Sequence, residues 1–242
     1  MREDMEKGAM KVGIMQPYFL PYIGYFQLIA AVDLFVVYDN IKYTKKGWIN
    51  RNRLLQGGAD AVFSLPLKKD SDALDVVGRE LAADFNRQKL LNQFIGAYRG
   101  APYFEPCIEL VRSLVMSEET NLFRYIHGSI VQTCKYLGIT TRIEISSDVA
   151  ADHAQKGEER VLAICGACQA DTYINTIGGL ELYSRKRFAQ DGIALQFIRS
   201  LPIEYRQFGK GPFVPWLSMV DVMMFNPADE IRDSLLTKFE LI

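Results

Sequence analysis

The chain lacks most of the features that quickly identify a function. Its 242 residues carry a net charge of −1 at pH 7, so no global attraction to nucleic acid or to an anionic membrane is expected. No apolar run approaches about 18 uninterrupted residues, which argues against a transmembrane helix. We therefore predict a protein that acts on small molecules, without nucleic-acid or membrane partners.

The signatures of several well-known chemistries are also missing. The sequence contains no HExxH, GxSxG, GxGxxG or GxxxxGK[ST] pattern, so zinc proteases, α/β-hydrolases, dinucleotide enzymes and P-loop proteins gain no support. The only two histidines are His127, in a helical pattern, and His153, in a polar loop. Any catalysis should therefore depend on positioning and electrostatics.

The four cysteines include one suggestive pair, Cys165-Gly-Ala-Cys168. A zinc site needs two more ligands, and Cys107, Cys134 and the histidines are scattered along the chain. The pair lies inside an apolar helical pattern, which favours the interpretation that both thiols are buried in the protein core. A redox or metal role is the alternative, but no metal site is predicted.

The first ten residues, Met1–Met10, are polar and charged and have no apolar central region. They do not resemble a secretory signal, so we predict a disordered extension and a cytoplasmic protein. Residues 11–242 have the length of one α/β domain, and no long linker or internal repeat divides them.

Apolar, β-branched clusters alternate with helical patterns. A helix over Tyr22–Ala31 joins the first two strands, and crossover helices at Glu158–Cys168 and Leu182–Gln190 join the last three. Such crossovers predict a doubly wound, mostly parallel α/β sheet, similar to Rossmann and nucleotidyltransferase folds. The predicted strands are Val12–Met15, Leu34–Tyr38, Ala61–Leu65, Arg142–Ile145, Thr172–Ile174 and Ala194–Ile198.

Two segments interrupt this alternation. Arg51–Leu65 is typical of a hairpin around Gly57-Gly58. Residues 84–138 are helical and form an inserted or flanking region, in which Pro102 and Pro106 are expected to delay the second helix until Ile108.

Ligands of open parallel sheets bind beyond the carboxyl ends of the strands. Gln16 and Tyr18 follow the first strand and precede a helix start near Pro21, which suits an anion. The alternative is a tight turn with packed tyrosines.

The second segment of interest is Asp39–Arg53. No acidic residue occurs from Asn40 to Ala59, so this stretch predicts a cationic surface that binds phosphate or carboxylate, although a solvated loop is the alternative. Its candidate binding residues are Lys45, Trp48, Asn50, Arg51 and Asn52, and Lys42, Lys46 and Arg53 add charge.

Two later segments also follow strands. Lys156 and Arg160 flank a helix start, and Asn175, Gly178 and Gly179 precede a helix that contains Arg185. We expect these residues to contact substrate. The candidate bases are Asp39 and His153.

Four ordered blocks begin at Gln16 (QPYFLPYIGYFQ), Trp48 (WINRN), Tyr173 (YINTIGG) and Phe213 (FVPWLSMVDVMMFN). They resemble the WbqC-like protein family, and the resemblance covers nearly everything after Met10. It implies a protein of bacterial surface-polysaccharide (O-antigen) synthesis and transfer of an aminoacyl group, such as glycine, to an amino sugar.

A fainter similarity links the opening run to the nucleotidyltransferase superfamily. Tyr22-Ile-Gly24-Tyr25 stands where those proteins have an H/T-x-G-H pattern, so Gly24 is retained for close nucleotide approach but tyrosines replace the histidines. In the last block, Ser218 and Asp221 are three residues apart and would share a helix face; a docking helix is the alternative.

Together these observations predict a transferase that moves an aminoacyl or similar acyl group onto an amino-sugar nucleotide. A nucleotidyltransferase-like enzyme on another small molecule and a non-catalytic nucleotide-sugar binding factor are the alternatives. ATP or a nucleotide sugar is the candidate substrate, an amino-acid donor is required, and a tRNA-borne donor is compatible with the sequence.

Overall fold

The fold begins at Met10, whose backbone pairs with the start of a distant strand. In the computed structural model, which describes residues 9–71, 73–209 and 211–242, the Met10 amide donates to Asp171 Oδ2 at 2.7 Å, and the Met10 carbonyl accepts from the amides of Asp171 and Thr172. Residues 1–8 of the extension predicted at Met1–Met10 lie outside the described residues.

The strands of the main sheet follow the order β5-β2-β1-β6-β7-β8 over the described residues. The first five run parallel and β8 is antiparallel to β7, so the prediction of a doubly wound, mostly parallel α/β sheet is confirmed. The direction in which successive strands are added to the sheet reverses between β1 and β6. The strands are β1 Lys11–Met15, β2 Leu34–Val37, β5 Arg142–Ile145, β6 Thr172–Thr176, β7 Ala194–Ser200 and β8 Phe239–Leu241.

Alternating side chains of the buried strands divide the core between the two faces of the sheet. Val12 and Leu34 pack with the helices α5 (Gly157–Ala167) and α6 (Arg185–Gln190) on one face. Phe35 packs with α1 (Ile23–Ala30) on the other face. Helix α6 begins later than predicted because Ser184 caps it by accepting from the Arg187 amide at 3.3 Å.

A helical layer covers the α1 face. It consists of α2 (Arg87–Tyr98), α3 (Phe104–Val115), α4 (Leu122–Leu137) and α7 (Met219–Phe225). The expectation that α3 would begin at Ile108 was wrong. Pro106 is the third residue of that helix, where its missing N–H would have had no helical partner.

A two-stranded hairpin connects this layer to the sheet. β3 (Arg51–Gln56) and β4 (Ala59–Ser64) meet at Gly57-Gly58, as predicted. The Tyr98 hydroxyl accepts from the Leu55 amide at 3.0 Å and donates to Asp221 Oδ1 at 2.9 Å, which ties the hairpin to α2 and α7.

The chain closes with helical turns at Ala228–Glu230 and Ile231–Leu235 before β8. Within the described part of the chain, no helix has the length and apolar character required to cross a bilayer.

Candidate functional site

A cleft of about 660 Å³ opens at the carboxyl end of β2, beside the start of α5. Lys42, Lys156 and Arg160 face it with one carboxylate, Asp75, so we call it the cationic cleft. This is the edge of the sheet where α/β proteins bind ligands. Its other lining residues are Tyr38, Asn40, Ile41, His153, Ala154, Gln155, Gly157, Val161 and Tyr183.

The start of α5 offers backbone donors to this cleft. Lys156 occupies the N-cap position and no side chain caps the helix, so the first-turn amides keep their positive end toward solvent. The two first-turn glutamates point their carboxylates at α6 instead. Glu158 accepts from the Ser184 amide, and Glu159 forms a two-point pair with Arg187 at 2.7 and 2.8 Å.

Arg160 carries unused hydrogen-bonding capacity at the same place. Its Nη1 donates to the Asn40 carbonyl at 3.0 Å, and its guanidinium lies 5.2 Å from the Tyr38 ring centroid. Its Nε and Nη2 are buried and have no hydrogen-bond partner among the described residues. Buried donors without partners are costly, so these two atoms are suited to an anionic ligand.

A chain of hydrogen bonds orients His153 in the cleft. Its Nε2 lies 3.0 Å from the Val149 carbonyl, an obligate acceptor, so Nε2 carries the proton and Nδ1 accepts from Asn40 Nδ2 at 3.3 Å. Ser146 Oγ donates to Asn40 Oδ1 at 3.2 Å and fixes the amide. The lone pair of Nδ1 is thus held by a long, weak bond that a substrate proton can replace.

The other candidate base, Asp39, lies behind the cleft. It is 3% exposed, and its Oδ1 accepts from the Ser147 amide at 3.0 Å. This contact positions the turn that carries Ser146. Asp39 therefore helps to orient the hydrogen-bond chain that runs from Ser146 through Asn40 to His153.

The residues after β1 and β6 mostly bond to each other. The Gln16 carbonyl accepts from the Tyr25 hydroxyl at 2.9 Å, and its side chain lies 3.4 Å from the Tyr18 hydroxyl. Asn175 donates to the Tyr173 hydroxyl and accepts from the Thr176 amide.

The two glycines after β6 differ in how closely they are packed. A Cβ on Gly179 would lie 2.8 Å from Asn175 Nδ2, whereas one on Gly178 would make only ordinary contact with Thr176. The turn therefore needs the glycine at 179 in order to pack against the end of β6.

Arg185 is directed away from the cationic cleft. Its Nη1 donates to the Leu195 carbonyl at 3.2 Å, and its guanidinium lies 5.7 Å from the Phe197 ring centroid. Leu195 lies near the amino end of β7, so Arg185 packs α6 onto the sheet, distant from the carboxyl edge.

The polar side chains of the 48–52 segment bond to their own loop and to neighbouring segments. Arg51 Nε donates to the Gly47 carbonyl at 2.8 Å, and its Nη2 donates to that of Lys46. Asn50 bonds the Tyr43 hydroxyl and the Leu65 carbonyl, and Asn52 donates to the Leu20 carbonyl at 2.9 Å. Lys45 lies in the same loop.

Trp48 belongs to a second concavity of about 220 Å³, which we call the aromatic pocket. It adjoins a third, mostly apolar concavity of about 550 Å³, the apolar cavity, and the two share Tyr22 and Trp216. The aromatic pocket is lined by Tyr18, Pro21, Tyr22, Trp48, Asn52, Arg53 and Trp216.

Ser218 and Asp221 anchor α7 in the interior. Ser218 Oγ donates to the Leu20 carbonyl at 2.7 Å and accepts from the Val220 amide, which caps the helix. Asp221 accepts from Tyr98, from the Tyr205 hydroxyl at 2.6 Å and from Gln207 Nε2 at 2.8 Å. Burial raises the pKa of this carboxyl despite those donors.

The cysteines pack in the core. Cys107, Cys134 and Cys165 are buried, and Cys168 is half-buried. Burial raises the pKa of the Cys165 and Cys168 thiols, which lowers their thiolate fraction at neutral pH. Residues 9–71, 73–209 and 211–242 contain no group of three or more His, Cys, Asp or Glu side chains placed to hold a metal ion.

Comparison with known proteins places the chain in a family. A sequence profile of the WbqC-like protein family matches residues 16–233. The chain belongs to this family. An uncharacterized protein of Mycobacterium tuberculosis, Rv1507c, is 29% identical over 234 residues, which span 93% of this chain and 97% of that protein.

Three of the four blocks that carry the WbqC-like resemblance meet at the aromatic pocket. Tyr18 and Tyr22 come from the first block, Trp48 and Asn52 from the second, and Trp216 from the last. Sequence analysis singled out Trp48, Tyr18 and Asn52 but not Tyr22 or Trp216 as binding residues. The sequence signal for Trp216 was its place beside Pro215 in the last of the four blocks.

Proposed function

We propose that this WbqC-like protein is a cytoplasmic transferase of bacterial surface-polysaccharide synthesis. It would move an aminoacyl group, such as glycine, or a similar acyl group onto the amine of an amino-sugar nucleotide. The observation that carries the proposal is the pair of buried, unpartnered donor atoms on Arg160, at the uncapped start of α5.

The cationic cleft suits the diphosphate of a nucleotide sugar. Arg160 supplies planar donors, Lys42 and Lys156 add point charges, and the first-turn amides of α5 add backbone donors. A volume of about 660 Å³ lies within the range of pockets that hold ligands of this size.

His153 would act as the general base. The sugar amine must be neutral to attack, and the Nδ1 lone pair of His153 can accept its proton once the bond to Asn40 is released. In the transfer, the amine nitrogen forms a bond to the acyl carbonyl carbon. The bond from that carbon to the donor oxygen breaks, and the donor leaves with the electron pair.

Binding and turnover test separate parts of the proposal. We expect nucleotide sugars to raise the melting temperature of the wild type, and Arg160→Gln to weaken their binding roughly tenfold or more. Arg112→Gln is the matched control, because that exposed arginine lies on α3, outside the cleft lining, and pairs with nearby Glu109. His153→Gln should keep binding and lower the rate of transfer about 100-fold or more.

The assay supplies labelled glycine, either ATP-activated or tRNA-borne, with a panel of amino-sugar nucleotides. Absence of labelled product across the whole panel would overturn the transfer reaction. Pyrophosphate released from a nucleoside triphosphate would instead identify nucleotidyl transfer. Ligand-induced stabilisation with no turnover, and an unaltered phenotype of His153→Gln in vivo, would identify a nucleotide-sugar binding factor.

A further inference from the structure

The backbone conformation at Trp216 directs its indole toward solvent at an energetic cost. Trp216 has φ +60°, a left-handed conformation that costs an L-residue about 1 kcal/mol, and its side chain is 61% exposed. Exposing a tryptophan on strained backbone has no packing benefit. Such strain concentrates where side chains bind ligands.

The surrounding contacts fix this conformation. Arg53 Nη2 donates to the Trp216 carbonyl at 3.1 Å, and the Ser218 amide donates to the Arg53 carbonyl at 2.8 Å. The Met219 amide donates to the Pro21 carbonyl at 2.8 Å, and the Tyr22 ring meets the Trp216 ring at 61° with 5.9 Å between centroids. Residue 216 and the residues that follow it are thus tied to β3 and to the start of α1.

The polar groups that remain in the pocket favour hydroxyl-bearing ligands. Arg53 Nε is buried with no partner among the described residues. Both ends of the Asn52 amide already bond to the backbone, because its nitrogen donates to the Leu20 carbonyl and its oxygen accepts from the Arg53 amide. The pocket therefore lacks a free amide donor–acceptor pair to recognise the edge of a nucleobase, whereas sugar hydroxyls can pair with a lone donor and with tyrosine hydroxyls.

Size and surroundings define the rest of the ligand. A pocket of about 220 Å³ accommodates one ring rather than a whole nucleotide. The apolar cavity begins at the same two aromatic residues, and its walls include Ile23, Ile203 and Phe213. A substituent on the ring would enter that cavity and bury apolar surface.

We propose that the aromatic pocket binds a single sugar ring against Trp216 and that the apolar cavity accepts an apolar substituent of the same sugar. The ligand class is a glycoside with an apolar aglycone. This sugar-binding proposal does not depend on the cationic cleft or on the transfer reaction. The sugar-binding proposal and the proposed transferase function can therefore fail independently.

The chain carries its own reporter of this binding. Its two tryptophans, Trp48 and Trp216, both line the aromatic pocket. We expect octyl glycosides of glucose and N-acetylglucosamine, used below their micellar concentration, to change tryptophan emission saturably. Methyl glycosides of the same sugars should bind roughly tenfold or more weakly, because they cannot fill the apolar cavity.

Three variants test the assignment. Trp48→Phe leaves Trp216 as the single reporter, and its emission should respond to the octyl glycosides. Trp216→Gly removes the indole and suits the left-handed backbone, so it should fold with an equal or higher melting temperature and lose binding by calorimetry. Val131→Ala, at an exposed apolar position on α4, should bind as the wild type does.

Three outcomes would overturn the proposal. The first is no saturable response to any glycoside. The second is an equal response to uridine or adenosine, which would make the pocket a base site. The third is octyl-glycoside binding that persists in the folded Trp216→Gly variant, which would show that the alkyl chain binds elsewhere.

Discussion

The ring of Tyr22 occupies the space where a side chain at Gly24 would have to go. A Cβ at position 24 would lie 2.4 Å from Cε2 of Tyr22 and 2.6 Å from its hydroxyl oxygen. The resemblance to nucleotidyltransferases predicted that Gly24 admits a nucleotide to the helix start. In this protein a tyrosine of the same turn fills that space and forms a wall of the aromatic pocket instead.

Gly24→Ala should move the Tyr22 ring and leave the fold intact. The colliding atoms belong to the far end of a side chain, and alanine favours the helix by up to about 1 kcal/mol over glycine. We expect stability to change by less than about 1 kcal/mol in urea unfolding, with a shifted tryptophan emission maximum. An alanine variant with wild-type emission would show that Tyr22 does not move.

Asp221→Asn should destabilise the protein by about 1–3 kcal/mol, although it removes a buried charge. The carboxylate accepts from Tyr98, Tyr205 and Gln207, and an amide NH₂ would face some of those donors. Denaturant unfolding measures the loss, and Asp229→Asn, at an exposed position, is the control.

The same variant has a pH signature. Because burial raises the pKa of Asp221, wild-type stability from this group is present at low pH and is lost as pH rises through the raised pKa. Asp221→Asn should remove that component. Parallel stability–pH curves for the two proteins would contradict it.

His127 should make the protein less stable below about pH 6.5. Its ring stacks on Phe123, and its Nε2 is buried without a partner among the described residues. Burial lowers the pKa of His127, although the carboxylates of Asp148 and Asp39 act to raise it. The unfolded chain therefore binds a proton at a pH where the folded chain does not.

Replacement of His127 by Gln tests this linkage. Between pH 7.5 and 5.5 the variant should lose less stability than the wild type, by less than about 1 kcal/mol because the ring is partly exposed. A variant whose stability falls as steeply as that of the wild type would assign the acid sensitivity to other groups.

Thiol labelling should distinguish the cysteines. Only Cys168 is partly accessible, and burial raises its pKa, so a native sample should react slowly at no more than one thiol. Cys168→Ser should abolish that native reaction, and denaturation should expose the other three. Fast labelling of two native thiols would point to a reactive pair at Cys165 and Cys168.

The sheet was predictable because its signals are local. The first strands are short apolar runs, and each crossover helix has its own apolar pattern, so parallel pairing follows from chain order. β8 was not predicted, because Phe239–Leu241 becomes a strand only by pairing with β7. Helix α4 begins at Leu122 because Asn121 caps it by accepting from the Arg124 amide.

The candidate site was predicted in part for the same reason. Lys156, Arg160 and His153 follow from their positions after strands, and the structure brings them together at one cleft. Side-chain direction does not follow from position. Arg185 also lies near such an edge in sequence, but it turns back to Leu195, and Asp221 becomes an interior anchor through contacts with α2 and with the 205–207 segment.

The pairing of β1 with β6 also governs how the chain acquires its shape. Met10 and Asp171 are 161 positions apart, so the centre of the sheet closes only after most of the nascent chain has been gathered. Such long-range closure is slow, because the entropy of the intervening loop is lost before the contacts form. Helix α5 leads directly into β6, so we expect the cationic cleft to reach its final form only once this pairing is made.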